Sequence, residues 1–410
     1  MSSCDAPGLL PLEQAQVLLN DSLRIQANTE TIELTQTLDR VLAVNIYSPH
    51  NIPNYDNSAM DGYALNVDLS DTSQPLTVVG KSFAGKAYDG KVGVGECVRI
   101  MTGAKVPSDC NCVAMQENTQ ANGGKISLTQ AVKTGENIRL TGNDVKKNSL
   151  VLVKGKRLDP LDIGMLASLG IANVSVFKKI RVAIFSTGDE IIPLGEPLKD
   201  GFIYDSNRHL IRTCLQRMNL DVKDYGVIED NPRLIEETFI DASNCCDAII
   251  SSGGVSVGEA DYTRDILHKL GDITFYKLAM KPGKPFAFGS IGKAHFFGLP
   301  GNPVSAAVTF HQLALPALSR MAGELNAEPL IIKMPTATAL RKRPGRADFQ
   351  RGHFFKAADG TLCVEAIRSQ SSGALSSMVT ANCYIVLEQA RGAVAVGELV
   401  DVVPFDRYFS

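Results

Sequence analysis

The side chains equipped for chemistry in this chain are acids, lysines and small hydroxyl residues, gathered at turns rich in glycine and proline. Ser251-Ser252-Gly253-Gly254-Val255-Ser256-Val257-Gly258 is a run of small residues ahead of the helical pattern YTRDILHKL. Its amides can point at an anion, as in a phosphate cradle. Glu259 and Asp261 follow at once. Carboxylates beside a bound phosphate repel it unless a divalent cation lies between, so the juxtaposition argues for Mg²⁺. Thr187-Gly188-Asp189-Glu190 repeats the pattern of small residue, glycine and acid. Neither G-x-x-x-x-G-K-[ST] nor G-x-G-x-x-G is matched, which excludes an ordinary P-loop or dinucleotide fingerprint. A glycine-rich connection without a ligand is the plain alternative.

Lys281-Pro282-Gly283-Lys284-Pro285 sets two ammonium groups on a backbone stiffened by prolines, an arrangement that favours an oxyanion over a merely solvated turn. Ser305 opens the next helical run, where hydroxyl and amide donors converge, and Arg346 and Arg351 can add guanidinium donors or pair with surface acids. Asp205, Asn207 and Asp230 stand at helix starts, where a cap and a ligand contact are both open readings. Asn57-Ser58-Ala59-Met60-Asp61-Gly62-Tyr63-Ala64, Met101-Thr102-Gly103-Ala104 and Gly142-Asn143-Asp144 are polar turns that add two acids and a hydroxyl. No Ser-His-Asp or Cys-His order is visible, which disfavours covalent nucleophilic catalysis.

These turns must be held by a frame. Between Asp247 and Ser305 three pieces, DAIISSGG, KLAMKPGKP and FFGLPGNP, each put Gly or Pro just beyond an apolar β-type run. If those runs are parallel strands, all three turns fall at carboxyl ends, where open α/β sheets bind ligands. From Ile180 the pattern is βαβ: RVAIFST as strand, SNRHLIRTCLQRMN as a helix with Leu210, Ile211, Cys214, Leu215 and Met218 on one face, VKDYGVI as strand, and Asp230-Asn231-Pro232 starting another helix. Asn302-Pro303 starts a last helix reaching about Met321, which Pro316 should kink.

Upstream, residues 11–23 and LTQTLDRVLAVNI read as helices, residues 51–144 as a mostly β insert, and RLDPLDIGMLASLGIANVSV as helix then strand, so two crossings are expected between the insert and its flanks. Downstream of Gly323, LIIKMPTATAL, FQRGHFFKA, TLCVEAI, CYIVLEQA and ELVDVVPF are strands, with a hairpin at Ala358-Asp359-Gly360.

The 410 residues exceed one ordinary core and imply several domains. The 44% hydrophobic and 21% charged fractions are those of a soluble globular protein, and a net charge of −3 leaves no global footprint for nucleic acid or an anionic membrane. The start MSSCDAPGLLPLEQ has neither a basic n-region nor an apolar h-region, and no run of about 18 uncharged apolar residues occurs, so a cytoplasmic protein is expected. Nine scattered cysteines without a C-x-x-C pair indicate neither disulfide framework nor zinc site. The close pairs Cys110-x-Cys112 and Cys245-Cys246 read as reduced thiols. Six histidines never pair at metal-ligand spacing.

PNYDNSAMDGYA at 53–64, RIMTGAKVP at 99–107, STGDE at 186–190, SSGGVSVGEADY at 251–262, KPGKPFAFG at 281–289 and GLPGNPVSA at 298–306 together resemble the molybdopterin molybdenumtransferase family, which includes the E domain of gephyrin. The resemblance covers nearly the whole chain. It implies a multidomain α/β plus β architecture. Its parts are an elongated, discontinuous helical connector (1–50 and 145–179), a β-rich insert (51–144), an α/β molybdopterin-binding domain resembling molybdopterin adenylyltransferases (180–325), and a C-terminal β barrel (326–410).

It further implies a homodimer whose cleft lies between the α/β domain of one subunit and the insert of the other. Asp61, Thr102 and Asp144 would complete in trans a site built by Glu190, Asp230 and Asp261, with Glu190 and Asp261 toward Mg²⁺. Gly188, Ser252, Gly253, Gly254, Ser256, Gly258, Lys277, Lys281, Pro300 and Pro303 would meet the molybdopterin substrate, and Lys281, Lys284, Ser305, Arg351 and Ser372 resemble molybdate-binding positions. Gln370-Ser371-Ser372-Gly373 departs from the family's Gln-Gly-Ser pattern, which makes Ser372 the loosest match. The implied reaction takes adenylylated molybdopterin and molybdate to molybdenum cofactor and AMP. A molybdopterin adenylyltransferase and molybdoenzyme maturation proteins are the implied partners, with neither nucleic acid nor membrane. An adenylyltransferase is the competing enzyme and a non-catalytic dimeric scaffold the competing non-enzyme; the former needs neither insert nor C-terminal domain, and the latter needs no cleft acids.

Overall fold

The structure is a computed structural model. It describes residues 8–254, 262–325 and 329–409, the side chains of Tyr262, Arg264 and Tyr276 excepted. It is mixed α/β, with three six-stranded sheets and several two-stranded ladders among the described residues.

The central sheet has the order Asp221–Ile228, Arg181–Thr187, Ala248–Ser252, Ala294–Leu299, Pro285–Ile291, Gly271–Lys277. The first four strands are parallel, and the last two run antiparallel to their inner neighbours. Successive side chains of Arg181–Thr187 enter opposite layers, as the strand period requires. Val182 and Ile184 pack with Ile211, Leu215 and the helical run after Pro303, whereas Ala183 and Phe185 pack with Ile235, Phe239 and Ala242. Phe239 meets Phe185 and Phe296 edge-on, with centroids 5.3 and 5.5 Å apart; truncating such a buried ring typically costs about 3–5 kcal/mol.

The helices begin where the sequence punctuates them. Pro232 starts Pro232–Cys245 behind Asn231, whose side chain accepts from Arg233 N, and Asp159 and Asp162 close a capping box on Pro160–Ser168. The last helical run does not kink into two rods. Pro303–Thr309 passes through a π-helical stretch, Phe310–Ala314, into Leu315–Met321. A wider turn ahead of Pro316 relieves the clash and missing donor that proline brings to an α-helix.

One expectation is corrected. LTQTLDRVLAVNI contains only a 3₁₀ turn, Leu34–Gln36, and Asp39 adopts a positive φ of 59°. The chain there pairs with residues far ahead, through the bridges Val41↔Arg157 and Leu42↔Val176 and the ladder Thr29–Glu33 with Asn173–Phe177. The flanks of the insert are therefore more β-laddered than a helical connector implies, since these partners satisfy the backbone that a helix would have satisfied internally. KPGKP lies at the carboxyl edge as expected: it follows Gly271–Lys277, which runs in the same direction as the parallel strands because it is antiparallel to Pro285–Ile291, itself antiparallel to Ala294–Leu299.

The insert's sheet runs Cys112–Met115, Gly62–Leu65, Glu96–Ile100, Leu76–Ser82, Lys125–Leu128, Thr119–Asn122. The chain enters and leaves it side by side, through Ile52↔Val145 and the pairing of Ile46–Tyr47 with Leu150–Leu152. In the C-terminal sheet Met280–Lys281 pairs with Ala347–Lys356, followed by Cys383–Leu387, Leu399–Pro404 and Ile332–Pro335. The hairpin strand Leu362–Ala366 adds to Ala347–Lys356, and Thr336↔Val364 brings the path back upon itself. No helix among the described residues is long and apolar enough to cross a membrane.

Candidate active site

The register of the central sheet collects the chemistry at one edge. Thr187 pairs with Ile228, Ser186 with Ser252, and Ser252 with Leu299. The turns after those strands, carrying Gly188-Asp189-Glu190, Asp230, Gly253-Gly254 and Pro300-Gly301, therefore emerge together. The helices after Arg181–Thr187 and Asp221–Ile228 lie on opposite faces of the sheet, so strand order reverses between Arg181–Thr187 and Ala248–Ser252. A crevice opens at such a point.

Asn207 crosses that crevice. Its Nδ2 donates to Ser252 Oγ at 2.9 Å and to the Gly301 carbonyl at 2.8 Å. Asp205 is a helix cap: it accepts from Arg208 N, receives Ser186 Oγ–H at 3.1 Å and pairs with the Arg208 guanidinium at 2.8 Å. Gly253 and Gly254 have φ of 87° and 66°. A Cβ on Gly254 would sit 2.4 Å from Thr263 Oγ1 and 2.7 Å from Thr187 Oγ1, so only glycine lets this turn lie against both. The Thr187 and Ser251 hydroxyls are buried here without a hydrogen-bond partner among the described residues. Buried donors without a partner are costly and mark a place built to receive one. Ser256, Gly258, Glu259 and Asp261 lie outside the described residues.

Three acids stand beside this turn. Asp230 N–H donates to Asp189 Oδ1 at 3.0 Å. Burial, then the Asp189 and Glu190 carboxylates, push the Asp230 carboxyl above its ordinary range. No ion pair among the described residues neutralises the three. Their hard oxygens suit Mg²⁺, which is ordinarily held by one or two carboxylates completed by substrate phosphate. Among the described residues no group of three His, Cys, Asp or Glu side chains is placed to hold a metal ion by itself.

The lysines and hydroxyls meet where the central and C-terminal sheets join. Lys281 pairs with Asp348 in the ladder, and its Nζ lies 3.4 Å from Asp348 Oδ2. Gly283 packs so tightly that a Cβ would lie 2.4 Å from Thr309 Cγ2, which draws the Lys281–Lys284 turn onto the Ser305 helix. Val304 N–H donates to the Ser372 carbonyl at 3.0 Å, placing Ser372 against the start of that helix. Lys277 opposes Pro285 and so leaves its strand at the same edge. Pro300 and Pro303 are backbone devices, the second at the first helical turn. Arg351 is buried: Nε donates to Ser377 Oγ at 3.2 Å, and Nη2 to the Ser369 and Ser371 carbonyls at 3.3 and 3.1 Å. It grips the loop that presents Ser372.

In the insert, Gly62 pairs with Ile100, which sets Asp61 beside Thr102. Asp61 Oδ1 accepts from both Thr102 N and Oγ1 at 2.7 Å, and the N–H foremost, then the hydroxyl, hold its carboxyl below the ordinary range. Sequence reading missed a twin: Asp56 Oδ1 accepts from Thr141 N and Oγ1, also at 2.7 Å. The available signal was two Thr-Gly turns and two acids in PNYDNSAMDG. Asp144 is exposed on the same return, its N–H bound to the Ile52 carbonyl at 3.0 Å. Among the described residues no hydrogen bond or ion pair joins these insert residues to Glu190 or Asp230. A cavity of about 940 Å³ lies elsewhere, lined by Asn45, Lys154, Phe177 and Arg320, and holds none of these residues.

Family models match in chain order: the MoeA N-terminal region (domain I and II) over residues 10–170, a probable molybdopterin binding domain over 183–320, and the MoeA C-terminal region (domain IV) over 333–405. The molybdopterin molybdenumtransferase of Haemophilus influenzae is 44% identical over 402 residues, spanning 97% of this chain and 99% of that one. The Nostoc protein of the same name is 33% identical, over 95% of this chain and 92% of its own. The crystal structure of the molybdopterin biosynthesis MoeA protein of Pyrococcus horikoshii superposes with a TM-score of 0.83 at 31% identity, covering 97% of this chain and 100% of that one. With near-complete coverage, shared domain order and a shared architecture, the chain belongs to the molybdopterin molybdenumtransferase family.

Proposed function

We propose that this chain is a molybdopterin molybdenumtransferase acting on adenylylated molybdopterin and molybdate, with Mg²⁺-dependent release of AMP and formation of molybdenum cofactor. The observation that carries the reading is the edge at which a glycine turn, hydroxyls without hydrogen-bond partners and acids without ion-pair partners among the described residues, and a lysine–serine junction meet. An anionic nucleotide-linked substrate and a tetrahedral oxyanion need those two neighbouring environments. Bound Mg²⁺ supplies charge neutralisation at the phosphoanhydride, with Glu190, Asp230 and Asp261 as the acids toward it. The chain's own part is positioning. The Gly253-Gly254 turn and Ser252, braced by Asn207, hold phosphate, while Lys281, Lys284, Ser305 and Ser372 receive molybdate, with Arg351 holding the Ser372 loop. No protein nucleophile is called for.

The acids on the insert support a shared site. Among the described residues no hydrogen bond or ion pair joins Asp61, Thr102 or Asp144 to Glu190, and in a homodimer they would face the partner's α/β edge. The same reading divides the chain into a discontinuous connector (1–50 and 145–179), an insert (51–144), a molybdopterin-binding unit (180–325) and a C-terminal barrel (326–410). A cytoplasmic location, and exchange with an adenylyltransferase and with molybdoenzyme maturation proteins, accompany it.

The deciding experiment follows AMP release from adenylylated molybdopterin by the purified protein with Mg²⁺, with and without molybdate. Molybdate-dependent release with active cofactor is expected. Substrate binding without release would leave a scaffold, and adenylylation of free molybdopterin would make the chain an adenylyltransferase.

A further inference from the structure

Far from the active edge, the C-terminal end of helix Pro232–Cys245 meets the beginning of the edge strand Asp221–Ile228. Cys245 there is half-buried, whereas six of the seven other described cysteines are not accessible or nearly so; only Cys363 matches its exposure. Lys223 Nζ lies 3.3 Å from Cys245 Sγ and 2.7 Å from Asp241 Oδ2. The Tyr225 hydroxyl donates to the same Asp241 oxygen at 2.6 Å and lies 3.7 Å from Cys245 Sγ. The buried Cys246 Sγ is also 3.7 Å away.

We infer that Cys245 is a peroxide-responsive modification site, its thiolate stabilised by the Lys223 ammonium and its surroundings ordered by Tyr225 and Asp241. An ordinary last-turn thiol only donates to the carbonyl four residues back, as Cys245 does to Asp241 O at 3.1 Å. Here a cation from the neighbouring strand is held on the same sulfur by a carboxylate that is itself gripped by a tyrosine. The other charges nearby are Arg181, which pairs with Asp221 and donates to the Cys245 carbonyl at 3.4 Å. Burial raises the Cys245 thiol, but its hydrogen bonds with Tyr225, Lys223 and Cys246 outweigh that and hold it below its ordinary value. Burial pushes Cys246 up to about 12, so of the adjacent pair it is Cys245 that reacts.

The step is a two-electron oxidation. Having shed its proton to solvent, Cys245 Sγ attacks one oxygen of hydrogen peroxide; the S–O bond forms as the O–O bond breaks, sulfur is oxidised and peroxide reduced. Hydroxide leaves, takes a proton from Lys223 and departs as water, and Lys223 is reprotonated from solvent. The product is a sulfenic acid. Cys246 can then condense with it, S–S forming as S–O breaks and a second water leaving.

The test uses the full chain carrying Cys246→Ser, so that the sulfenic acid persists, treated with limiting hydrogen peroxide and a 1,3-dione trap, with adducts mapped by peptide mass spectrometry. The adduct is expected on Cys245 about tenfold sooner than on Cys363. Lys223→Met should slow it by a similar factor and Lys223→Arg should preserve it. Adducts at Cys363 first, or a folded Lys223→Met variant reacting at the parent rate, would overturn the assignment. In the unsubstituted protein, iodoacetamide at neutral pH should alkylate Cys245 ahead of Cys363; the reverse order rejects the assignment independently of any variant.

Discussion

Asn207 Nδ2 and Ser252 Oγ lie 2.9 Å apart, and the same nitrogen reaches the Gly301 carbonyl at 2.8 Å, so one side chain ties two strand ends across the point where the sheet reverses. A hydrogen bond of this kind contributes roughly 1 kcal/mol net to stability, yet leaving a carbonyl and a hydroxyl without it also loosens both turns. Asn207→Ala is expected to lower molybdate-dependent AMP release by about tenfold or more, because small misplacements at a reacting centre are amplified. The melting temperature should fall by only a few degrees, about what 1–2 kcal/mol produces in a domain of this size. Steady-state rates alongside thermal melts decide it, and a rate unchanged in a folded variant would mean that the two turns hold themselves.

Since no hydrogen bond or ion pair among the described residues joins Asp61 to Glu190, a complementation experiment tests whether they meet across subunits. Asp61→Asn and Glu190→Gln are each expected to be nearly inactive as homodimers. If each site takes its insert acids from one subunit and its edge acids from the other, a mixed dimer has one doubly altered site and one intact site. Random exchange of the two variants should then restore about a quarter of the parent activity. Failure to recover any activity, with subunit exchange demonstrated by differential tags, would place both acid sets in the same subunit's site.

Asp230 links stability to pH in the opposite sense from most carboxylates. Burial, Asp189 and Glu190 raise its folded value above the ordinary 3.8. The folded protein therefore binds more protons than the unfolded chain as pH rises through that window, and stability is lost across it. Asp230→Asn should raise the melting temperature more at about pH 7.5 than at about pH 4, while activity falls. Added Mg²⁺ should raise the melting temperature of the parent, by neutralising the cluster, and raise that of the variant less. Equal Mg²⁺ shifts in both would remove Asp230 from the metal's surroundings.

His295 supplies the second pH-dependent term. Its Nε2 accepts Arg24 N–H at 3.0 Å, which fixes the neutral ring with its proton on a buried Nδ1 that has no partner among the described residues. Burial first, then Arg24, depress its folded value below 6.5. The unfolded chain takes up the proton earlier, so stability conferred by the neutral ring is complete above 6.5 and declines as pH falls toward the folded value. His295→Gln, which keeps an acceptor for Arg24, should flatten the difference in urea midpoint between about pH 5 and about pH 7.5. An unaltered difference would assign the slope to other groups.

The parallel strands were legible because strands buried on both faces are unbroken apolar runs, as in RVAIFST and DAIISS, and their glycine turns announced a site. LTQTLDRVLAVNI was misread as helix because its apolar spacing carries no record of partners: Leu42 N–H goes to Lys156 O and Ala43 N–H to Ser175 O, more than a hundred residues ahead. The KPGKP turn was legible in the same way, because it too follows a β-type run, Gly271–Lys277, that ends at this edge. Asn207 was ambiguous for a related reason. Cap and ligand contact were the local choices, and its partners at Ser252 and Gly301 exist only after folding. The Asp56–Thr141 pair was invisible because its members lie 85 positions apart.

Under the proposed reaction, Arg351 and Ser372 would make separable contributions to molybdate binding. The guanidinium is buried and spends Nε and Nη2 on Ser377, Ser369 and Ser371, and burial lowers its pKa from the ordinary value. Its role is thus to hold the 369–372 loop, whose Ser372 carbonyl in turn receives Val304 N–H at the head of the Ser305 helix. Lysine cannot reproduce a planar fork directed at two carbonyls and a hydroxyl. Arg351→Lys should therefore raise the KM for molybdate and lower the melting temperature together, since each hydrogen bond lost from a buried charged group costs roughly 1.5–3 kcal/mol. Ser372→Ala keeps the carbonyl that Val304 uses and removes only the hydroxyl, so it should raise KM with little change in melting. If Arg351→Lys raises KM at unchanged stability, the guanidinium meets the anion directly. A Ser372→Ala variant with unaltered KM would instead leave Lys281, Lys284 and Ser305 as the molybdate contacts.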